Sequence, residues 1–458
     1  MTPTWAQVVD LAVAVAFILT LKGLSSPRTA RTGVRIGSIG ALVAVIAVFF
    51  ATRELNHLPW IIAVIVVGSV IGIVAARRVA MTAMPQLVAL FNGVGGGAAA
   101  IVAAVEFHVA TEKDVLFLTA TAFTAAIGSI SLTGSVVTFL KLQELMTGRP
   151  VVLPGGRFLT IAIALLTLGF AVTVIATGSL PALIGLLIAS LILGVLFVLP
   201  VGGADVPIVI SLLNAFTGLA VAAGGLVLSN TLLLVAGTLV GASGTLLTRM
   251  MAQAMGRPLT STLFGAFTAR AAAAGGGGAE NRPVRSGTPD DIAIMLGYAS
   301  KVIIVPGYGL AVAQAQQALR EVADLLTARG VSVSYAIHPV AGRMPGHMNV
   351  LLAEADVPYD MLAESEVINP EFAATDVALV VGANDVVNPA ARTDPTSPIY
   401  GMPIVDADRA AQVVFIKRSM RPGFAGVENE LLFDPRTTLL FGDAKDALTK
   451  VAARLKAS

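Results

Sequence analysis

Two short stretches of this 458-residue chain carry residue types suited to a phosphorylated nucleotide. The first is Gly307-Tyr308-Gly309-Leu310-Ala311-Val312, directly after the apolar run Lys301-Val-Ile-Ile-Val305. It supplies two glycines of a dinucleotide fingerprint, with Val312 where the third would stand. Between a strand and a helix, such glycines let the backbone approach a pyrophosphate, and the start of the helix faces the phosphate. The second is Phe415-Ile416-Lys417-Arg418-Ser419, which places two cations and a hydroxyl where a strand ends. Sheets of this kind bind ligands at their strand C-terminal ends, and Lys, Arg and Ser together suit a phosphate monoester. An NAD site closes its second strand with an acid that accepts from the ribose 2′-OH. The run Ser332-Val-Ser-Tyr-Ala-Ile-His338 has none. The two observations together point to NADP(H). His338 and His347 flank Arg343, but no third metal ligand accompanies them, so no metal is expected. No catalytic triad or carboxylate pair emerges, and direct hydride transfer needs neither.

A second set of polar residues stands inside apolar segments. Asn92 lies in Phe91-Asn92-Gly93 and Asn214 in Leu212-Leu213-Asn214-Ala215. Each amide needs a partner, because hydrocarbon offers none. Spacing alone serves interhelical glue as well as a polar route. Ser129, Ser131, Thr133, Ser135 and Thr138 give one segment a hydroxyl-rich side, unless they bond back to their own helix. Asp205, in Gly202-Gly203-Ala204-Asp205-Val206-Pro207, stands at the mouth of the next-to-last apolar segment. There it is either a helix cap or a titrating group. Clustered glycines, among them Gly93, Gly95, Gly96, Gly97, Gly237, Gly241 and Gly244, read as close helix packing.

The elements that hold these residues fall into two unlike halves. The chain is 56% hydrophobic and 13% charged, too apolar for an ordinary soluble enzyme. Residues 1–250 carry 12 Lys/Arg and 7 Asp/Glu, and residues 251–458 carry 18 and 21. Nine stretches near 7–21, 36–52, 58–76, 84–105, 115–140, 158–178, 180–200, 206–228 and 231–248 approach the roughly 20 residues that span a bilayer. Alternate connections hold Lys22, Arg28, Arg31, Arg35, Arg77, Arg78, Lys141, Arg149 and Arg157, against Arg53 and Lys113 in the others. That bias places the N-terminus outside and the C-terminal half in the cytoplasm. Gly- and Ala-rich sequence from Ala271 to Gly278 marks a tether, taken here as 251–288. Beyond it, apolar strand runs at 301–305, 331–337, 377–381, 412–416 and 438–441 alternate with helical stretches at 310–328 and 444–455. The expected fold is a multi-pass α-helical membrane domain followed, over 289–458, by a cytosolic α/β Rossmann-like domain with a parallel sheet. Cys is absent, which excludes disulfides and thiolate-held clusters. His57 and His108 fall in outer connections, against a bis-histidine haem. A net charge of +2 gives no case for nucleic acid.

Longer motifs make the reading more specific. They are Met81-Thr-Ala-Met-Pro-Gln-Leu-Val-Ala-Leu, Gly202-Gly-Ala-Asp-Val-Pro and Val305-Pro-Gly-Tyr-Gly-Leu-Ala-Val-Ala-Gln-Ala-Gln. To these are added His338-Pro-Val-Ala-Gly-Arg-Met-Pro-Gly-His, Val381-Gly-Ala-Asn-Asp-Val-Val-Asn-Pro-Ala, Lys417-Arg-Ser-Met and Phe441-Gly-Asp-Ala-Lys. With them, essentially the whole chain resembles the beta subunits of proton-translocating NAD(P) transhydrogenases. The resemblance implies NADP(H) on this chain, NAD(H) on a separate alpha chain, and a dimer of alpha–beta assemblies in the bacterial inner membrane. Hydride transfer between the two nucleotides would drive a proton across the bilayer. It implies nucleotide contacts at Gly307, Tyr308, Gly309, Val312 and Ala313, and at Val340, Ala341, Gly342, Arg343, Met344 and Pro345. Gly382, Ala383, Asn384 and Asp385 would lie toward the nicotinamide, and Lys417, Arg418 and Ser419 at the 2′-phosphate. Phe424, Ala425 and Gly426 would cover the nucleotide, with Gly442, Asp443 and Ala444 close by. Asp205, Asn214, Ser135 and Asn92 match positions tied to proton passage. Asn92 stands where some members have a histidine, and Phe424 where a Tyr is common. The competing readings are an ion transporter or channel with a nucleotide-sensing domain, and a structural scaffold.

Overall fold

The computed structural model describes residues 4–51, 57–79, 83–143, 145–147, 150–202, 205–254, 282–339, 341–342, 346–395, 397, 399–423 and 425–457. Among them, nine helices are long and apolar enough to cross a membrane. They are α1 (Thr4–Leu24), α2 (Pro27–Ala51), α3 (Leu58–Arg78), α4 (Met84–Val109), α5 (Val115–Leu142), α6 (Gly156–Thr177), α7 (Leu180–Val198), α8 (Val206–Val227) and α9 (Thr231–Ala254). Each coincides with one of the nine expected stretches, and most run longer. The largest difference is α2, which begins at Pro27, so Arg31 and Arg35 lie on a helix and not in a connection. Nothing after Pro27 breaks a helix: proline suits the first turn, and arginine is a good helix former. Lys22, Arg77, Arg78 and Lys141 likewise occupy last turns, where a cation faces the negative end of the helix dipole.

Glycines decide which of these helices touch. A Cβ on Gly128 of α5 would stand 2.5 Å from the Gly96 carbonyl oxygen of α4, and one on Gly96 would stand 3.0 Å from that of Gly128. α8 and α9 meet the same way, with a Cβ on Gly237 falling 2.3 Å from the Ala222 nitrogen. Between apolar helices in lipid no hydrophobic gain drives association, so dispersion contacts at close backbone approach carry it. α5 is the most enclosed span, in contact with α4, α6, α7 and α8. α3 is the opposite, burying none of its residues.

The second half is a six-stranded parallel sheet of order β3-β2-β1-β4-β5-β6. Its strands are β1 (Lys301–Pro306), β2 (Ser332–Ile337), β3 (Leu362–Glu364), β4 (Val377–Val381), β5 (Gln412–Lys417) and β6 (Thr437–Phe441). Apolar layers cover both faces. Leu319, Val322, Leu326, Leu448 and Val451 pack with Ile304, Leu379 and Val414 on one side. Phe372, Val387, Val405 and Leu431 pack with Ile303, Val380 and Phe415 on the other. Double coverage explains why the central strands read as unbroken apolar runs. β3 escaped the sequence reading because three residues show no alternation. Residues 282–288, expected in the tether, belong structurally to this half: the Gly287 N–H donates to the Leu439 carbonyl at 2.9 Å, and Thr288 with Asp291 forms a capping box on the helix Pro289–Gly297. The tether residues 255–281, with Ala271–Gly278, lie outside the described residues.

One expected helix is two. The stretch 310–328 breaks into Tyr308–Val312 and Gln316–Ala328, because Gln314 takes a left-handed backbone at φ +49°. The piece after the glycine turn is therefore only five residues long, and its dipole is correspondingly weak. Among the described residues the two halves of the chain touch in an apolar cluster, where Ile208 of α8 and Met251 and Ala252 of α9 meet Ile399, Met402 and Ile404.

Candidate functional site

At the C-terminal ends of β1, β4 and β5 the chain forms a cleft of about 530 Å³. Its floor is built from two interlocked turns. The Gly307 N–H donates to the Val381 carbonyl at 2.9 Å, and the Gly309 N–H donates to the Gly382 carbonyl at 2.8 Å. A Cβ on Gly307 would lie 2.3 Å from the Ala383 Cα, and one on Gly382, which sits at φ +68°, would lie 2.2 Å from the Leu310 nitrogen. Only glycine lets these backbones cross. The crossing leaves a backbone-lined cradle where β1 and β4 part, the topological switch point of such a sheet.

The expected residues Gly309, Ala313, Gly382, Ala383, Asn384, Lys417, Arg418, Ser419, Gly442, Asp443 and Ala444 all line the cleft. Lys417 is half-buried and donates from Nζ to Asn384 Oδ1 at 3.1 Å. Burial lowers its pKa, and the nearby Asp385 carboxylate partly opposes that shift. Asp385 sits behind the lining: its Oδ2 accepts from the Ala425 N–H at 2.9 Å and its Oδ1 from Asn384 Nδ2 at 3.2 Å. It thus fastens the start of the expected covering loop to the end of β4. Gly426 closes that loop, its N–H donating to the Gly423 carbonyl at 3.0 Å. Gly307 lies beneath the cleft, the Tyr308 ring lies 6.2 Å from that of His347 and tilted 57° to it, and Val312 is exposed. Ala341 is buried, and Gly342 takes φ +103°, where a Cβ would fall 2.5 Å from His347 Nδ1. Val340, Arg343, Met344, Pro345 and Phe424 lie outside the described residues. Sequence reasoning missed Arg421, Pro422 and Gly423 on the cleft wall, although Arg421 stands two residues beyond Ser419. It also missed Asn429, whose Nδ2 donates to the Asn384 carbonyl at 3.0 Å.

His338 ends β2 beneath the adjoining loop. Its Nε2 donates to the Pro403 carbonyl at 2.7 Å, and burial holds its pKa down at about 4 against the opposing pull of that hydrogen bond. It is a neutral support for the loop that carries Met402 and Ile404 to the membrane half. Among the described residues no group of three His, Asp or Glu is placed to hold a metal.

The second constellation lies among α4, α5 and α8. Asn92 Nδ2 donates to Ser135 Oγ at 3.0 Å and to Ser131 Oγ at 3.3 Å. Ser131 Oγ stands 2.6 Å from Thr217 Oγ1 and 3.1 Å from the Leu213 carbonyl oxygen. Thr217 Oγ1 donates to the Asn92 carbonyl at 3.3 Å, closing a ring across three helices. The structure thus joins Asn92 to Ser135 and adds Ser131 and Thr217. It does not join Asn214, which makes no side-chain hydrogen bond to a described residue and lies one turn before Thr217. Thr133 and Thr138 do bond back to their own helix, at Ser129 O and Gly134 O. Asn92 Oδ1 is buried and meets no protein donor among the described residues, leaving an acceptor turned into the helix bundle. Asp205 is buried at the start of α8, yet its side chain makes no capping hydrogen bond to the first turn.

Fold and cleft define a multi-span membrane protein that carries a dinucleotide-type parallel sheet, with a cleft at the switch point lined by Lys417, Arg418 and Arg421. Comparison with known proteins makes that class specific. Residues 6–454 match the family described as NAD(P) transhydrogenase beta subunit. Two curated relatives named "NAD(P) transhydrogenase subunit beta", both from Rhodospirillum rubrum, are each 48% identical over 454 residues, covering 97% of this chain and 98% of the relative. The chain belongs to the NAD(P) transhydrogenase beta subunit family. It is therefore part of a nicotinamide-nucleotide enzyme whose beta subunit works with an alpha subunit.

Proposed function

We propose that this chain binds NADP(H) in the cleft and conducts the proton that the hydride transfer drives, while NAD(H) is bound by the alpha partner. The observation that carries the nucleotide assignment is the cation set at the end of β5. Lys417, Arg418 and Arg421 line one wall with Ser419, and no acid stands at the end of β2 to hold a free ribose 2′-hydroxyl. The residues suit the nucleotide: the Gly307–Gly309 and Gly382 crossing offers a backbone cradle to a pyrophosphate, and the cations offer their charge to a 2′-phosphate. When bound, NADP(H) supplies the hydride acceptor or donor. The chain's own residues orient it, and Asp385 holds the covering loop in place through the Ala425 N–H.

For the proton, the ring of Asn92, Ser131 and Thr217, with Ser135 bonded to Asn92, forms a hydrogen-bonded relay inside the bundle. None of these groups ionises near neutral pH, so they orient water or pass a proton through hydroxyls. Asp205 is the carboxylate at the mouth of α8 and the group that can carry the charge. Asn214 lies between it and Thr217 on the same helix, about 14 Å from Asp205. Three residues beyond Asp205, Ile208 touches the loop around Met402, so the mouth lies beside the sheet domain. The bias of basic residues supports an outer N-terminus and a cytoplasmic sheet domain, in the bacterial inner membrane. α3, which buries nothing within this chain, is open to lipid or to further membrane helices of the alpha partner. A dimer of alpha–beta assemblies, with the sheet domain beginning near residue 282, completes the proposal. The competing channel-with-sensor reading is not favoured, since the family match runs through both halves.

The test is reconstitution with the alpha partner in proteoliposomes. NADPH-dependent reduction of an NAD analogue should be accompanied by a proton current that starts and stops with the reaction. Asp205→Asn, which keeps a good cap residue while removing the acid, should assemble and bind NADP(H) but lose both coupled activities. Wild-type pumping by that variant would move the route elsewhere.

A further inference from the structure

Lys141 ends α5 with a charge that belongs to neither site, and it is 1% exposed. Its Nζ donates to the carbonyls of Val198 at 3.1 Å, Leu199 at 2.7 Å and Val201 at 2.7 Å. Only an ammonium carries three donors, so this geometry is that of the charged form. No carboxylate lies within ion-pair reach of Lys141 among the described residues. Its stabilisation comes from the carbonyl end of α7, where the helix dipole is negative.

The place matters more than the count of bonds. Val198, Val201, Val209 and Leu213 form one apolar cluster with Val137, one turn before Lys141 on α5. The turn that leaves α7 is thus pressed into hydrocarbon, and the ammonium answers its carbonyls from α5. A simple helix stop would use a glycine in the left-handed conformation, whereas the residue after α7 is Leu199 in a right-handed one. A fully buried cation is a costly way to finish a helix, so it calls for a further reason. That reason lies four residues on. Gly202 follows the bonded Val201 carbonyl, and the Gly202 carbonyl accepts from the Asp205 N–H at 3.0 Å. A turn closed in this way keeps its ends within roughly 7 Å, which puts Asp205 within about 15 Å of the ammonium.

We propose that Lys141 is a positioning residue for proton translocation: from the end of the helix that carries Ser131 and Ser135, it pins the α7–α8 turn and so sets where Asp205 stands. This rests on the reading of Asp205 as the proton-bearing group at the mouth. One cation then ties the relay helix to the carboxylate, and movement of α5 against α7 must move Asp205.

The test compares Lys141→Met, Lys141→Gln and Lys141→Arg with Asp205→Asn in the complete alpha–beta enzyme in proteoliposomes. Lys141→Gln retains two donors for the three carbonyls, so assembly survives if Lys141→Met proves too severe. Both neutral variants should lower the turnover of proton-coupled hydride transfer about tenfold or more, with the KM for NADP(H) within about twofold of wild type. Lys141→Arg should recover turnover to within about threefold. A mere folding defect would reduce assembled enzyme and leave turnover per assembled enzyme intact. Wild-type turnover and proton yield in either neutral variant, or failure of both to assemble, overturns the proposal. If Asp205→Asn is inactive while the Lys141 variants are normal, only the Lys141 assignment falls. If Asp205→Asn pumps normally, the reading of Asp205 falls and takes this proposal with it.

Discussion

Lys417 is where NADP(H) selectivity can be worked through to a number. Its ammonium is half-buried at the end of β5, is held by Asn384 Oδ1 at 3.1 Å, and has Asp385 as the nearest opposing charge. Arg418 and Ser419 beside it are exposed, so solvent weakens their contacts with a phosphate more than that of Lys417. Lys417→Ala therefore removes the strongest of the charge-assisted contacts, worth about 1.5–3 kcal/mol. That is roughly a tenfold to hundredfold loss of NADPH affinity. NAD(H), which has no 2′-phosphate, should bind the variant as weakly as it binds the parent. pH adds a second signature. Burial lowers the Lys417 pKa in the free protein, and a bound dianion favours the ammonium, so binding takes up a proton once the pH passes that lowered value. NADPH affinity should then fall toward alkaline pH. Lys417→Arg should flatten this fall, because a guanidinium does not titrate there. Calorimetry of the full chain in two buffers of different ionisation enthalpy reads both the affinity and the proton uptake. An equal loss for NADPH and NADH, or no loss for NADPH, would refute the assignment of the 2′-phosphate to this end of β5.

Three further expectations follow from the geometry. Gly307→Ala puts a Cβ 2.3 Å from the backbone of Ala383, which cannot yield as a side chain would; NADP(H) binding should be lost, and the unfolding midpoint of the sheet domain should drop by several degrees, corresponding to about 1–3 kcal/mol. His338 has a folded pKa of about 4, below its ordinary value, so its contribution to stability is complete above about pH 6.5 and is lost progressively as the pH falls toward 4. The loss should reach at most about 3 kcal/mol, and denaturation midpoints between pH 4.5 and 7 should show a shallower slope in His338→Gln. Ser131→Ala breaks the ring joining Asn92 to Thr217 and should cost about 1–2 kcal/mol of bundle stability; proton current in proteoliposomes should fall while NADP(H) affinity, measured separately, stays unchanged.

Much of this protein could be read from residue order, because two of its strongest signals are local. An unbroken apolar stretch must become a helix in hydrocarbon, so nine spans could be counted without coordinates. A strand covered on both faces is apolar throughout, and so β1, β4 and β5 stood out. Glycines before a helix and cations after a strand announced the cleft, since each residue type meets a local backbone or charge requirement. What stayed hidden depends on distance through space. β3 has only three residues and exists because Tyr335, Ala336 and Ile337 of β2 offer it an edge. The break at Gln314 comes from a backbone twist that no turn residue marks. Asn92, Ser131 and Thr217 lie far apart in the chain and form one ring only because glycines let α4 and α5 close to backbone contact. Asn214 was the polar residue of α8 that stood out in the sequence, but helical phase aims Thr217, one turn on, at Ser131. Lys141 read as one more basic residue at a membrane edge, and only the packing of α5 against the end of α7 turned it into a buried staple. Composition and pattern determined which segments span, pair and bind; side-chain direction across helix interfaces, a long-range property, decided which polar groups meet.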